Sequence, residues 1–96
     1  MLAQVSSSEK AALENLLAAA QRESGQAALV ANFLLAWWNA ETCQGFNLCD
    51  LWAVDEFLAV DMVTVFGMLA RIRAYPDTLG YGGEFEALVR TWRPEA

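Results

Sequence analysis

An all-α fold is what this chain predicts: one compact domain of about four helices plus a short connecting helical turn. Three observations carry that expectation. Apolar residues recur at spacings of three and four along most of the chain, the period of a helix with one buried face. Serine or aspartate stands where such runs begin, and glycine or proline where they end. The residues AVILMFWYC make up 56% of the 96 positions, above the ~45–50% of ordinary domains, so a real core can form despite the short length. A second domain is expected only beyond about 150 residues. The single helical domain therefore takes in residues 1–96.

Residues 1–5 read as a flexible lead, with Leu2 and Val5 as anchors. Ser6 followed by Glu9 matches the capping box, in which serine accepts from a first-turn N–H and glutamate answers back. The helix it opens runs to about Arg22. Leu13, Leu16, Leu17 and Ala20 form its apolar stripe, while Glu9, Lys10, Glu14 and Asn15 face water. Ser24 and Gly25 end this helix, and Ser24 caps the next, at about 26–43. There Leu29, Val30, Phe33, Leu34, Leu35, Trp37 and Trp38 cover most of the circumference, which predicts the central, most buried helix. One narrow stripe stays small or polar: Ala28, Asn32, Ala36, Asn39 and Cys43. It predicts a groove where a neighbouring helix approaches closely, with Asn32 and Asn39 bonded to backbone. Read instead as a ligand cleft, the stripe lacks a reactive group.

Gly45 is the expected stop, and residues 44–47 form a linker. Asn47 or Asp50 then caps a short helical turn through Leu51 and Trp52. Asp55 caps a long helix at about 56–74, dominated by Phe57, Leu58, Met62, Val65, Phe66, Leu69 and Ile72, with Asp61, Thr64 and Arg71 as its polar stripe. Val60, Val63 and Val65 are β-branched, so VDMVTVF alone passes for a strand. Length and the flanking Leu, Met, Ala and Arg residues favour helix. Arg71 and Arg73 complement the negative end of the helix dipole, and Pro76 stops it. Residues 77–83 are a turn-rich loop anchored by Leu79 and Tyr81. The last helix, about 84–92, places Phe85, Leu88, Val89 and Trp92 at i, i+3, i+4 and i+7, with Glu86–Arg90 as a favourable pair and Pro94 beyond it.

The formal net charge is −6 and the pI about 4.3. Such a balance argues against direct nucleic-acid binding, which depends on Lys and Arg neutralising phosphates. The longest apolar run, residues 27–38, is broken only by Asn32 and is short of the ~18–20 residues a membrane span needs. MLAQVSSSEK shows neither a positive n-region nor an apolar h-region, so a cytoplasmic protein is expected. In that compartment Cys43 and Cys49 stay reduced, although a local disulfide across the loop is sterically conceivable. Zinc is disfavoured, because two thiolates without histidine cannot supply four protein ligands.

Enzymatic readings start from a poor inventory. The chain has no histidine, the commonest general base, and neither cysteine has an activating partner. Asp55, Glu56 and Asp61 could share a proton or hold a divalent ion, but binuclear helical sites use a Glu-x-x-His arrangement that is missing here. Capping and dipole roles explain these acids more simply. The run Gly80-Tyr81-Gly82-Gly83 precedes a helix, yet no Lys follows and Glu84 and Glu86 would repel phosphate, so it is a turn.

What stands out is where the charge sits. Residues 41–61 hold five acids and no base, while the segments on either side are close to neutral. A field of that kind repels phosphate and attracts basic protein surfaces. Trp52 lies between Asp50 and Asp55, and an aromatic anchor ringed by charge is the composition of an interface hot spot. Beneath the loop, Trp52 would instead form a satellite core.

From residue 28 onward the chain resembles a group of small uncharacterised proteins carried by plasmids and integrative conjugative elements of Gram-negative bacteria. The resemblance rests on LLAWWNAETCQGF (34–46), DMVTVFGMLARIRAYPDTLGY (61–81) and FEALVRTWRPE (85–95). It implies a setting, cargo of a mobile element, where small acidic proteins often inhibit host defence, anti-CRISPR proteins among them. No residue role is carried over with it. The leading expectation is a non-enzymatic inhibitor, without metal or cofactor, whose partner-binding residues are Glu41, Asp50, Trp52, Asp55, Glu56 and Asp61. The alternative is a homodimeric accessory protein that pairs through apolar surface around Trp38 and the Asn32/Asn39 stripe.

Overall fold

The computed structural model describes residues 5–22 and 24–95, so the expected anchor Leu2 lies outside it. Ser6 opens α1 (Ser7–Ala20) through the full capping box: its Oγ accepts from the Glu9 N–H at 3.1 Å, and Glu9 Oε1 accepts from the Ser6 N–H at 3.0 Å. Leu13, Leu16, Leu17 and Ala20 are buried as the spacing predicts, joined by Ala12 and Ala19. The helix stops at Ala20, two residues before the expected end. Glu9 does not face water; its carboxylate is paired with Arg71 across the molecule.

Ser24 caps α2 (Gly25–Cys43), its Oγ accepting from the Ala27 N–H at 3.1 Å. Val30, Ala31, Leu34 and Leu35 have no exposed surface, so the helix expected to be most buried is deep in the core. Near its end the helix breaks at Asn39, where φ is −168° and ψ 93°. Asn39 Oδ1 accepts from the N–H groups of Glu41 and Thr42 and recaps a final turn. Asparagine favours such local bonds over the helix ladder. Gln44 rather than Gly45 takes the positive φ that ends the helix.

Asn47, not Asp50, caps the first 3-10 turn (Leu48–Ala53) by accepting from the Cys49 N–H. Asp55 occupies the cap position of α3 (Glu56–Ile72) but its carboxylate makes no capping bond, against expectation. Its carbonyl accepts from Leu58 and Ala59, and its N–H donates to Gln26 Oε1. VDMVTVF is helical, and no strand occurs among the described residues. α3 ends four residues ahead of Pro76, with Arg73 in the left-handed region at φ 53°. A second 3-10 turn (Pro76–Leu79) follows and closes on Gly80, whose φ of 93° suits a residue without Cβ. α4 (Gly82–Trp92) starts two residues earlier than its apolar spacing suggested.

α1 packs against both α2 and α3, and α4 packs on α2. Glu9 meets Arg71 and Asn15 meets Asp61, so α1 and α3 run antiparallel. Gln26 meets Asp55 and the Trp37 indole donates to the Ala74 carbonyl at 2.9 Å, so α2 and α3 run in the same direction. The Trp92 indole donates to the carbonyl of Ala20 at 2.9 Å, satisfying an acceptor that the end of α1 leaves open. Fully buried Phe85 meets Trp37 edge-on at 5.5 Å and stacks on Trp38 at 5.6 Å. The small-polar stripe of α2 is occupied within the chain. Arg93 donates from Nη2 to Asn32 Oδ1 and from Nε to the Cys43 carbonyl at 3.0 Å. Asn32 thus binds a side chain rather than the backbone.

Candidate functional site

α3 carries apolar residues on more than one side, and only one side can face the core. Leu58, Met62, Val65 and Met68 point inward and are buried. Phe57, Val60, Val63 and Phe66, which extend the same apolar sequence around the helix, stay exposed. Phe57 and Phe66, among the apolar residues that dominate this helix in the sequence, are each 60% exposed, because the burial direction is taken by the residues facing α1. Leu48 on the preceding 3-10 turn lies beside Phe66, and Trp52 on the same turn is the most exposed large apolar residue described, at 85%. Single exposed apolar side chains are ordinary; here several stand on two adjoining elements.

The six residues singled out in the sequence do not form one patch. Glu56 and Asp61 come together with Asn15, Phe57 and Val60 around a shallow depression of about 630 Å³. Asn15 Nδ2 reaches Asp61 Oδ2 at 3.5 Å, a weak tie that leaves the carboxylate able to accept further bonds. Asp55 adjoins them at the start of α3, and Asp50 and Trp52 lie on the turn leading into it. Glu41 is elsewhere. It lies exposed near the end of α2, beside Trp37, Trp38, Asn39, Tyr75 and Asp77, on an open cleft of about 600 Å³. Since α2 and α3 run in the same direction, the 17 residues of α3 set Glu41 about 25 Å from Asp55 at a rise of ~1.5 Å per residue.

On both surfaces carboxylates stand beside aromatic or aliphatic side chains. Among the described residues no group of three His, Cys, Asp or Glu side chains is placed to hold a metal ion. No buried side-chain nitrogen or oxygen among them lacks a hydrogen-bond partner. Cys43 is buried and Cys49 exposed, and both are free thiols.

Three perturbed groups, Glu9, Arg71 and Tyr81, lie outside the acidic segment. Hydrogen bonds from Arg71, with one from the Ser6 backbone, hold the Glu9 carboxyl at about 2, and the same pairing raises Arg71. Partial burial, with Glu14 accepting the hydroxyl proton at 2.9 Å, pushes Tyr81 up to about 12. Both contacts tie α1 to later parts of the chain and read as structural.

Sequence reasoning missed the exposure of Phe57, Val60, Val63 and Phe66. The available signal was that α3 has two apolar stripes and one core to serve. No curated protein and no solved structure matches the chain. The model of a family of unknown function, DUF7673, matches residues 10–93, which takes in nearly all of α1 and everything from α2 through α4, and the chain belongs to that family.

Proposed function

We propose that this chain is a non-enzymatic protein-binding module that sets Trp52, with Asp50, Asp55, Glu56 and Asp61 on the same stretch, against a basic protein surface meant for nucleic acid. The observation that carries the reading is Trp52 itself, 85% exposed on a turn between two acidic residues. A large aromatic left in water is costly unless a partner covers it, and tryptophan leads the residues that anchor interfaces. The acids supply long-range attraction to a basic site and repel the phosphates that would compete for it. Among the described residues no helix is long and apolar enough to cross a membrane, and the proposed compartment is the cytoplasm. In the setting of a mobile element, the partner is a nucleic-acid-binding protein of host defence, and the module inhibits it as anti-CRISPR proteins do.

The test is differential capture from a Gram-negative bacterial lysate by wild-type protein and by Trp52→Ala, at low salt and at about 1 M salt, where the screening length is ~3 Å. Basic nucleic-acid-binding proteins should be retained by wild type at low salt, lost with Trp52→Ala, and displaced by added duplex DNA. Equal retention by both proteins would end the proposal.

A further inference from the structure

We propose that the outer face of α3 is the interface of a two-fold symmetric dimer, in which α3 packs antiparallel on α3 of a second copy. This surface leaves out Trp52, shares Asp55 and Glu56 with the docking surface proposed above, and goes beyond that reading by naming a second copy as an occupant. Residues 56, 60, 63, 67 and 70 follow one another at spacings of four, three, four and three, so they share the helix face turned away from α1. That face reads Glu56, Val60, Val63, Gly67, Ala70, with Phe57 and Phe66 on its flanks, and all seven are exposed.

Three features select a second copy as the occupant. The first is charge. α3 is acidic at its start, with Asp55 and Glu56, and presents exposed Arg73 at its basic end, where Arg71 is turned to Glu9 of α1. An antiparallel partner sets each acidic end beside a basic end and aligns the two helix dipoles favourably. A parallel partner would stack like charge on like.

The second is shape. A two-fold axis between Val63 and Thr64 places Val60 opposite Gly67 and Phe57 opposite Ala70 of the second copy, large against small in each case. A Cβ built on Gly67 would meet nothing within 4 Å, so the chain's own packing does not require glycine there. Close approach of a second helix does. The one polar side chain at the axis, Thr64, already donates its hydroxyl to the Val60 carbonyl at 3.0 Å and brings no unpaired donor into the contact.

The third is area. Phe57, Val60, Val63 and Phe66 are 57–62% exposed. Taking ~150–250 Å² for a whole aromatic side chain and less for valine, the four present on the order of 400 Å² per copy, and with exposed Glu56, Gly67 and Ala70 of the same face two copies approach the ~1,000 Å² that a specific interface needs. The interface is isologous, each residue meeting its counterpart's neighbours across the axis, and it closes at two copies.

Sedimentation velocity across the micromolar range tests this directly. Wild type should be a dimer, and Val63→Arg should weaken self-association at least about a hundredfold by forcing two unpaired cations together at the axis. Its far-UV circular dichroism should not change, since Val63 is 62% exposed within one copy. Should Val63→Arg fail to fold, a cysteine pair decides. Packed helices lie ~8–10 Å apart between axes, which brings Cα atoms at the two-fold within the ~4.4–6.8 Å reach of a disulfide. In a Cys49→Ser background, Val63→Cys should form a covalent dimer under mild oxidant, and Glu86→Cys on the exposed side of α4 should not. A monomer throughout, a dimer indifferent to Val63→Arg, or equal cross-linking at both positions overturns the proposal.

Discussion

Arg71 grips Glu9 with both arms of its guanidinium, Nη2 to Oε1 at 2.6 Å and Nη1 to Oε2 at 2.8 Å, across 62 residues of sequence. The same carboxylate closes the capping box with the Ser6 N–H. One side chain therefore starts α1 and ties it to the end of α3.

The pairing has a definite pH signature. Glu9 titrates at about 2 in the fold against an ordinary 4.5, so the folded state binds this proton less readily than the unfolded chain. Its contribution is fully present above pH ~4.5 and is lost as pH falls toward 2. In urea unfolding series, wild type should exceed Glu9→Gln in stability near neutrality, and the gap should narrow across that acid window. A gap that stays constant from pH 6 to about 2 would assign the effect to capping alone.

Phe85 is the aromatic centre of the α2–α4 contact, fully buried between Trp37 and Trp38. Phe85→Ala should cost about 3–5 kcal/mol, the transfer and cavity cost of truncating a core phenylalanine. Phe33, 9% exposed and edge-on to Phe46 at 5.3 Å, should fall at the lower end of that range. Chemical denaturation followed by circular dichroism measures both. A loss under ~1 kcal/mol at Phe85 would contradict the packing described.

How much of this was legible depended on range. Ser6 with Glu9 and Ser24 were readable because a cap needs only residues within one turn. The all-α class followed from periodicity that each helix carries by itself. The Glu9–Arg71 pair was not readable, because nothing local to Glu9 distinguishes a solvated carboxylate from one met by a guanidinium 62 positions away. Asp55 was misread for a related reason: its backbone is engaged by Gln26 of a distant helix, and its carboxylate is left out of the cap. Periodicity failed most clearly on α3. When Leu58 and Met62 compete with Phe57 and Phe66 for one core, only the position of α1 decides which pair goes in. The acidic segment shows the converse. It is contiguous in sequence, yet the fold separates Glu41 from Asp55 by the length of α3.

The thiols should behave oppositely. Cys49 is exposed and Cys43 buried. A thiol reagent should modify one cysteine rapidly in the native protein and the second only on unfolding. Cys49→Ser should change stability by no more than about 0.5 kcal/mol and abolish the rapid phase. Two rapid equivalents would mean that the end of α2 opens readily.

Arg93 should matter more than its place near the end of the chain suggests. It donates to Asn32 Oδ1, to the Cys43 carbonyl and to the Trp92 carbonyl, joining the end of α4 to the polar stripe of α2. Arg93→Ala leaves two partly buried acceptors on α2 without that donor and should cost about 2 kcal/mol by equilibrium unfolding. Arg93→Lys should recover only part of this, since an ammonium cannot span both acceptors in the planar geometry of the guanidinium.

The acidic docking surface makes a kinetic prediction. Long-range attraction governs encounter more than final affinity. Neutralising Asp50, Asp55, Glu56 and Asp61 as Asn, Asn, Gln and Asn should therefore slow association with the basic partner about tenfold or more and flatten its salt dependence. The fold should survive, because Asp55 makes no side-chain cap bond and Asp61 has only its 3.5 Å contact with Asn15. Trp52→Ala should act on the other rate, speeding dissociation and costing about 2 kcal/mol or more of binding as a desolvated anchor is removed. Glu41→Gln is the internal control. It removes the same charge from the same sequence segment but from the far end of the bundle, beside Trp37 and Tyr75. Surface plasmon resonance across a salt series separates these outcomes. If the quadruple variant associates at the wild-type rate with the same salt slope, or if Glu41→Gln slows binding as much as the four together, attraction does not come from the start of α3 and the docking surface lies elsewhere.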